Sequence, residues 1–399
     1  MRGVTAKQKT YTTQFWMICV SSFFLFASFN MIIPMLPEYI TQLGGAEYKG
    51  LIVSLFTLTA LVSRPFSGKL ADQVGRVPVM MFGSFVCLAC GLVYPVLTSV
   101  SGFLLLRLVH GFSTGFTPTG QTAFLSDVIP ATRRGEAMGI LGTAGTVGMA
   151  AGPTLGGALA NNFSMDAMFY CSGALGLISI LVLMGIKETL QTRNKFTPTM
   201  LRIQRHEIFD WRVLVPCIAM MLTAFAYGTF LTIIPDFGNH LGVKNVGVLF
   251  GYFTVASLAV RLLGGRASDK YGRKAVLFVS ISFLIAAMGI IASADTPFLL
   301  LTGITFYGLG HGITSPTLLA WATDLSDEKH KGRGLASLYM FMELGIGIGA
   351  IVSAEIYDNQ SSRFMYSFLA CGLLCLIAFV YLLTVRKSNR EHFQNREKG

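Results

Sequence analysis

The chain has 399 residues, of which 53% are hydrophobic and 13% charged, and it carries a formal net charge of +11. Soluble domains devote roughly a quarter of their residues to charge, so this composition excludes an ordinary globular protein and points to the bilayer. The surplus of Lys and Arg invites a nucleic-acid reading, but its placement along the chain assigns it to membrane topology instead.

Uninterrupted apolar segments of about 20 residues read as membrane-crossing helices. Twelve follow one another: 15–37, 49–67, 77–97, 101–125, 136–160, 166–186, 212–235, 246–265, 274–293, 297–322, 334–357 and 363–385. The first is too long for a signal peptide, lacks a convincing cleavage site and is followed by further spans. Assigning the basic residues to alternate sides gives one side Arg2, Lys7, Lys9, Arg64, Lys69, Arg76, Arg133, Arg134, the residues between Lys187 and Arg212, Arg261 to Lys274, Lys329, Lys331, Arg333 and the tail from Arg386. The other side receives Lys49, Lys244 and Arg363, while Arg107 lies inside a span. Such asymmetry follows the positive-inside rule and predicts that both termini and the 188–211 connection face the cytoplasm. Seven cysteines fall within spans, and Cys87-Leu-Ala-Cys90 reads as small packing residues without metal-binding company.

The chain is written twice. Gly68-Lys-Leu-Ala-Asp-Gln-Val-Gly-Arg76 recurs as Gly265-Arg-Ala-Ser-Asp-Lys-Tyr-Gly-Arg273, 197 residues later. At the same offset Arg64 matches Arg261, Gly111 and Gly115 match Gly308 and Gly312, Asp127 matches Asp324, and Gly135 matches Gly332. Pro37 to Gly44 matches Pro235 to Gly242 at an offset of 198. Six spans recurring as six spans give two halves in parallel orientation. The predicted organisation is a half at 1–187, a cytoplasmic linker at 188–211, a second half at 212–385 and a cytoplasmic tail at 386–399. The repeated segment joins the second helix of each half to its third, and Asp72 with Arg76, or Asp269 with Arg273, can pair locally and reach toward the opposite half.

This segment resembles the signature loop of the major facilitator superfamily, and the likeness runs over nearly the whole chain. The resemblance implies a twelve-helix transporter fold with substrate bound between the halves. It also implies a gating role for Asp72, Arg76 and Asp127, with Asp269 and Arg273 as their second-half counterparts. The first copy departs from the family pattern with Val77-Pro78 after Arg76; the second keeps a further basic residue, Lys274. In the fifth span, Gly148-Met-Ala-Ala-Gly152-Pro153-Thr-Leu-Gly156-Gly157 resembles the antiporter motif of drug:proton exporters. Its glycines allow close helix approach, and Pro153 removes a backbone donor. Its second-half counterpart, Gly345 to Ala354, lacks the Pro and the final Gly pair. Arg107-Leu-Val-His110-Gly111 resembles a further motif that carries Gln where His110 stands and whose Arg the family associates with proton coupling.

Ionisable groups at mid-membrane depth are costly and therefore mark function. By these spans Arg107, His110, His311 and Glu343 sit deep. Glu343 is the deep acid, and a carboxyl in apolar surroundings favours its neutral form, as a proton carrier requires. The competing reading is a permanent ion pair with Arg107 or another donor. Glu38 and Asp236, at equivalent outer helix ends, read as cap or outer-gate residues. The family lines its cavity with helices one, four, seven and ten, which nominates Asn30, Arg107, Tyr227 and His311, with Tyr339 one turn before Glu343. Thirty-one Phe and 18 Met supply material for a soft lining.

The reading is a proton-coupled exporter of small amphipathic molecules working by alternating access in the plasma membrane, expected to be a bacterial inner membrane. The alternatives are a proton symporter, an exporter of a specific anionic metabolite, siderophore or lipid, or a non-transporting membrane sensor. An embedded enzyme is disfavoured because neither a His-x-x-x-His metal pair nor a phosphate loop is present. No cofactor or metal is expected beyond the proton gradient, and the partners are substrate, protons and lipid, not nucleic acid. A monomer is expected.

Overall fold

The computed structural model describes residues 11–130, 134–190, 192–202, 209–326 and 331–385, with the side chains of 134–136, 262–266, 269, 331 and 332 outside the description. Asp269 therefore lies outside the described residues as a side chain. Among the described residues the regular structure is helical, with no strand. In the first half the helices are α1 (Thr13–Ile32), α2 (Leu36–Gln42), α3 (Lys49–Gln73), α4 (Arg76–Val93), α5 (Val100–His110), α6 (Phe112–Val128), α7 (Arg134–Asn162) and α8 (Met165–Met184). The second half has α9 (Leu214–His240), α10 (Gly247–Tyr271), α11 (Arg273–Ala292), α12 (Pro297–Leu325), α13 (Lys331–Tyr357) and α14 (Phe364–Thr384).

Two of the twelve expected spans are built from two helices each. Pro34 and Pro37 lack the amide donors that a continuous first helix would need, so α1 passes through a 3-10 turn at Ile33–Met35 into α2. The fourth span runs as α5 and α6, joined at Gly111, where an added Cβ would collide with the Phe56 carbonyl of α3. Eight helical stretches are long and apolar enough to cross a membrane by length and composition. Outside that set fall Val100–Val128, Arg134–Asn162, Gly247–Tyr271 and Pro297–Leu325, the stretches carrying Arg107, Thr146, Arg261 and His311.

The repeated segment is mostly helix and only briefly a turn. Helix α3 runs on to Gln73, past the expected end at residue 67, and α10 runs to Tyr271. The direction change falls on Gly75 (φ +140°) and Gly272 (φ +90°), each the residue before the next helix. Both lie in backbone territory open to glycine, where another residue costs about 1–3 kcal/mol. At Gly75 a Cβ would also stand 2.5 Å from Glu188 Oε2, the atom that accepts the Val77 amide at 2.9 Å and so caps α4. At Gly272 a Cβ meets nothing within 4 Å. Gly75→Ala should therefore lower the thermal unfolding midpoint in detergent more than Gly272→Ala; an equal or reversed order would show that the Glu188 cap is irrelevant.

The repeat is visible in the packing. Cβ atoms on Gly148 and Gly152 of α7 would run into the Phe23 and Ala27 carbonyls of α1, and those on Gly345 and Gly349 of α13 into the Met221 and Phe225 carbonyls of α9. The halves meet where α3 faces α13 and α7 faces α10.

Candidate functional site

The two ends of the bundle differ. At the end away from the basic turns the halves are joined. Lys49 of α3 forms an ion pair with Asp236 of α9, Asn161 Nδ2 donates to the Lys244 carbonyl at 2.8 Å, and Asn359 Nδ2 donates to the Ala46 carbonyl at 3.0 Å. The backbones close in as well: a Cβ on Gly50 would lie 2.9 Å from the Ala350 carbonyl, and one on Gly247 would collide with the Pro153 carbonyl. Pro153 and Gly157 of the glycine-rich motif thus serve the contact between halves, while Gly148 and Gly152 serve the contact with α1. Glu38, the counterpart of Asp236, accepts from Gln42 at 3.3 Å on its own helix.

At the basic end the described ion pairs stay within a half. Arg76 reaches Asp72 at 2.8 Å and Asp127 at 3.2 Å, and Arg273 reaches Asp324 at 2.8 Å. Asp72 and Arg76 pair locally, and among the described residues Arg76 lies between two acids of its own half, with Thr189 Oγ1 adding a 2.6 Å bond to Asp127. Cβ atoms on Gly68, Gly139 and Gly142 would meet nothing within 4 Å. The halves are therefore tied to each other at the end away from the basic turns, whereas the ion pairs described at the basic end stay within each half.

Between these ends, charged and polar groups cross from half to half at mid-depth. Arg64 Nη2 donates to Glu343 Oε1 at 2.7 Å, with both side chains about nine-tenths buried (11% and 7% exposed). The Arg64 guanidinium also sits 4.7 Å from the centre of the Tyr339 ring, a cation–π contact that adds to the pair. On the other side Arg261 Nη1 donates to Thr146 Oγ1 at 3.0 Å. The His311 ring stacks on Tyr227 with centroids 5.2 Å apart and packs beside Phe253 and Tyr307 at 5.3 and 5.9 Å. Among the described residues, His311 Nδ1 and the Nε atoms of Arg64 and Arg261 are buried without hydrogen-bond partners. An apolar groove of about 520 Å³, lined by Val147, Ala151, Leu155, Gly251 and Val255, runs between α7 and α10 on their exposed side.

Glu343 and Tyr339 thus meet at Arg64, and Tyr227 and His311 meet each other, whereas Arg107, His110 and Asn30 stand elsewhere. Arg107 is 2% exposed inside the first half. Its Nε donates to the Ile52 carbonyl at 2.9 Å and its Nη1 to Tyr94 Oη at 3.4 Å, and its guanidinium lies 4.7 Å from the Phe56 ring centre. His110, fully buried, contacts Tyr94 Oη through Nδ1 at 3.2 Å and Cys87 Sγ through Nε2 at 3.6 Å. The CxxC pair therefore does have a histidine neighbour, but no metal-competent cluster forms among the described residues. Asn30 Nδ2 donates to the Phe26 carbonyl of its own helix at 2.8 Å. Glu343 pairs with Arg64, not Arg107.

Arg64, Arg261 and Thr146 were the residues missed. The expected span ending at residue 67 put Arg64 near the surface, and six further helical residues bring it to mid-depth. The signal was present in the repeat, which matched Arg64 to Arg261. Gly111-Phe-Ser113-Thr-Gly115 has the spacing of a nucleophile elbow, but Ser113 is fully buried in a helical segment and donates to the His110 carbonyl at 2.7 Å. That geometry lacks the exposed strand-to-helix turn an elbow needs.

The Major Facilitator Superfamily profile matches residues 18–243 and again 216–399. Multidrug resistance protein MdtG of Escherichia fergusonii is 27% identical over 386 residues, covering 91% of this chain and 92% of that protein. The multi-drug resistance efflux pump PmrA of Streptococcus pneumoniae is 25% identical over 377 residues, with 90% and 94% covered. The crystal structure of a D-xylose-proton symporter superposes with a TM-score of 0.78 at 16% identity, covering 95% of this chain and 99% of that one. Helix order, the packing of the two halves and the profile agree: the chain belongs to the Major Facilitator Superfamily and is a multi-pass transporter of the plasma membrane.

Proposed function

We propose that this transporter exports small amphipathic molecules in exchange for protons, with Glu343 as the proton-carrying group, and that it resides in a bacterial inner membrane. The observation that carries the reading is the Arg64–Glu343 bond, which ties the halves together at mid-depth through the deep carboxylate. A proton on Glu343 cancels the charge that holds Arg64. Removing one partner of a buried pair costs about 3–5 kcal/mol, so protonation weakens the tie between α3 and α13 and frees the halves to rock. With the basic end cytoplasmic, the arrangement corresponds to the deprotonated, cytoplasm-open form that accepts substrate. In the outward form Glu343 takes a proton, substrate leaves, and the proton is released after the return. Substrate and proton then oppose each other's binding by the same factor, as linkage requires. The names of the relatives, a multidrug resistance protein and a multi-drug efflux pump, favour export of amphipathic compounds over import of one nutrient.

The test uses inverted membrane vesicles with an acidified lumen and a trapped pH-sensitive dye. Adding cationic, neutral or anionic amphiphiles should raise the lumenal pH as substrate enters and protons leave. Acidification deepened by substrate, with both moving together, would replace antiport with symport.

A further inference from the structure

Arg64 and Arg261 are 197 residues apart and occupy equivalent places on α3 and α10, but the opposite half furnishes them unequally. Facing Arg64 are Glu343, at 2.7 Å, and the Tyr339 ring, 4.7 Å away. The residues at the same offset facing Arg261 are Thr146 and Gly142. Thr146 offers one hydroxyl at 3.0 Å. Where Tyr339 projects its ring, Gly142 has no side chain, and a Cβ there would meet nothing within 4 Å. Arg261 Nε is buried without a partner, and among the described residues no carboxylate pairs with this guanidinium.

A guanidinium presents its donors in a planar fork that matches a carboxylate in two parallel bonds. A buried charge left without its counter-charge is costly, and the first half shows how the fold meets that cost: one carboxylate and one aromatic ring. We propose that Arg261 is a substrate anchor, and that the transported class includes aromatic carboxylates. The carboxylate takes the place that Glu343 holds against Arg64, and the ring enters the space over Gly142 that corresponds to the ring of Tyr339. The ligand completes the second half-site by supplying what the chain itself supplies in the first. This rests on the transporter reading but adds a charge, a shape and an anchoring residue.

Three probes share one ring: 2-naphthoate, 2-naphthamide and 2-naphthylmethylammonium. Their binding is measured on the full chain in lipid nanodiscs, and their flux in the dye-loaded vesicles. Wild type should bind naphthoate about tenfold or more tighter than naphthamide, the scale of one charge-assisted hydrogen bond. Arg261→Gln should bring that ratio to about one, and Arg261→Lys should restore part of it, since Lys keeps the charge without the fork. Thr146→Glu installs an internal carboxylate where the other half has Glu343 and should weaken naphthoate about tenfold while leaving naphthamide binding unchanged, a selective loss that misfolding would not produce. Equal wild-type affinities for naphthoate and naphthamide would overturn the anchor, as would an Arg261→Gln effect of the same size on both. Proton-coupled flux of the cationic probe with naphthoate inert would leave the transporter reading standing and remove the anchor. Selective naphthoate binding without proton movement would keep the anchor and remove proton exchange.

Discussion

Glu343→Gln is expected to abolish proton-driven efflux, lowering the substrate-triggered pH signal by about 100-fold or more, while the protein still inserts and folds. Gln keeps the size and an acceptor for Arg64 Nη2 but cannot take up and release a proton at any working pH. A general acid–base group contributes about 10²–10⁴-fold where proton transfer is the task, and among the described residues Glu343 is the acid of the mid-depth group. Unchanged gradient-driven efflux in the variant would remove Glu343 from the proton path and leave it as a structural tie. A double-mutant cycle separates these roles. Arg64→Gln and Glu343→Gln should each destabilise, and the double variant should lose less than the sum, with a coupling of about 0.5–3 kcal/mol for residues in direct contact. Strict additivity in thermal melts would mean that the 2.7 Å bond contributes nothing.

Gly152→Ala carries the second large expectation. A Cβ there would sit 2.5 Å from the Ala27 carbonyl oxygen and 3.1 Å from the Ala27 Cα. Both are backbone atoms of α1, so no side-chain rotation relieves the clash. Overpacking of this kind costs typically about 1–3 kcal/mol, and shifting α7 off α1 would also move Pro153 and Gly157 away from the start of α10. We expect a lower melting temperature and loss of most transport. Gly139→Ala, on the same helix with nothing within 4 Å, should stay within about 0.5 kcal/mol of wild type. Similar effects of the two substitutions would show that glycine on α7 matters for its flexibility and not for the approach of α1.

Much of the architecture was legible in the linear sequence because the bilayer makes it so. A helix crossing hydrocarbon must satisfy its backbone internally and present some 20 apolar residues; segments such as 166–186 and 274–293 therefore declare themselves, and α8 and α11 lie where expected. Errors gathered at helix ends. Charged residues after position 67 looked like loop, yet α3 continues to Gln73, since a helix that passes the membrane surface can carry charge freely. That error of two turns hid Arg64. Depth also misled in the opposite direction: Arg107 and His110 are as deep as expected, but α5 turns them into the first half, against Ile52, Tyr94 and Cys87.

By itself the sequence determined the class, the repeat, the candidate linker and the deep acid, because hydropathy runs, offsets and rare charges are properties of one chain read in order. Only the tertiary structure decided which charge meets which. Arg64 and Glu343 are 279 positions apart, and no periodicity along the chain predicts a contact made by packing one half against the other. The same holds for the unequal furnishing of Arg64 and Arg261. The two repeated halves assemble face to face, so each arginine is answered by the other half's residues, and the difference between Glu343 and Thr146 gains its meaning from that crossing.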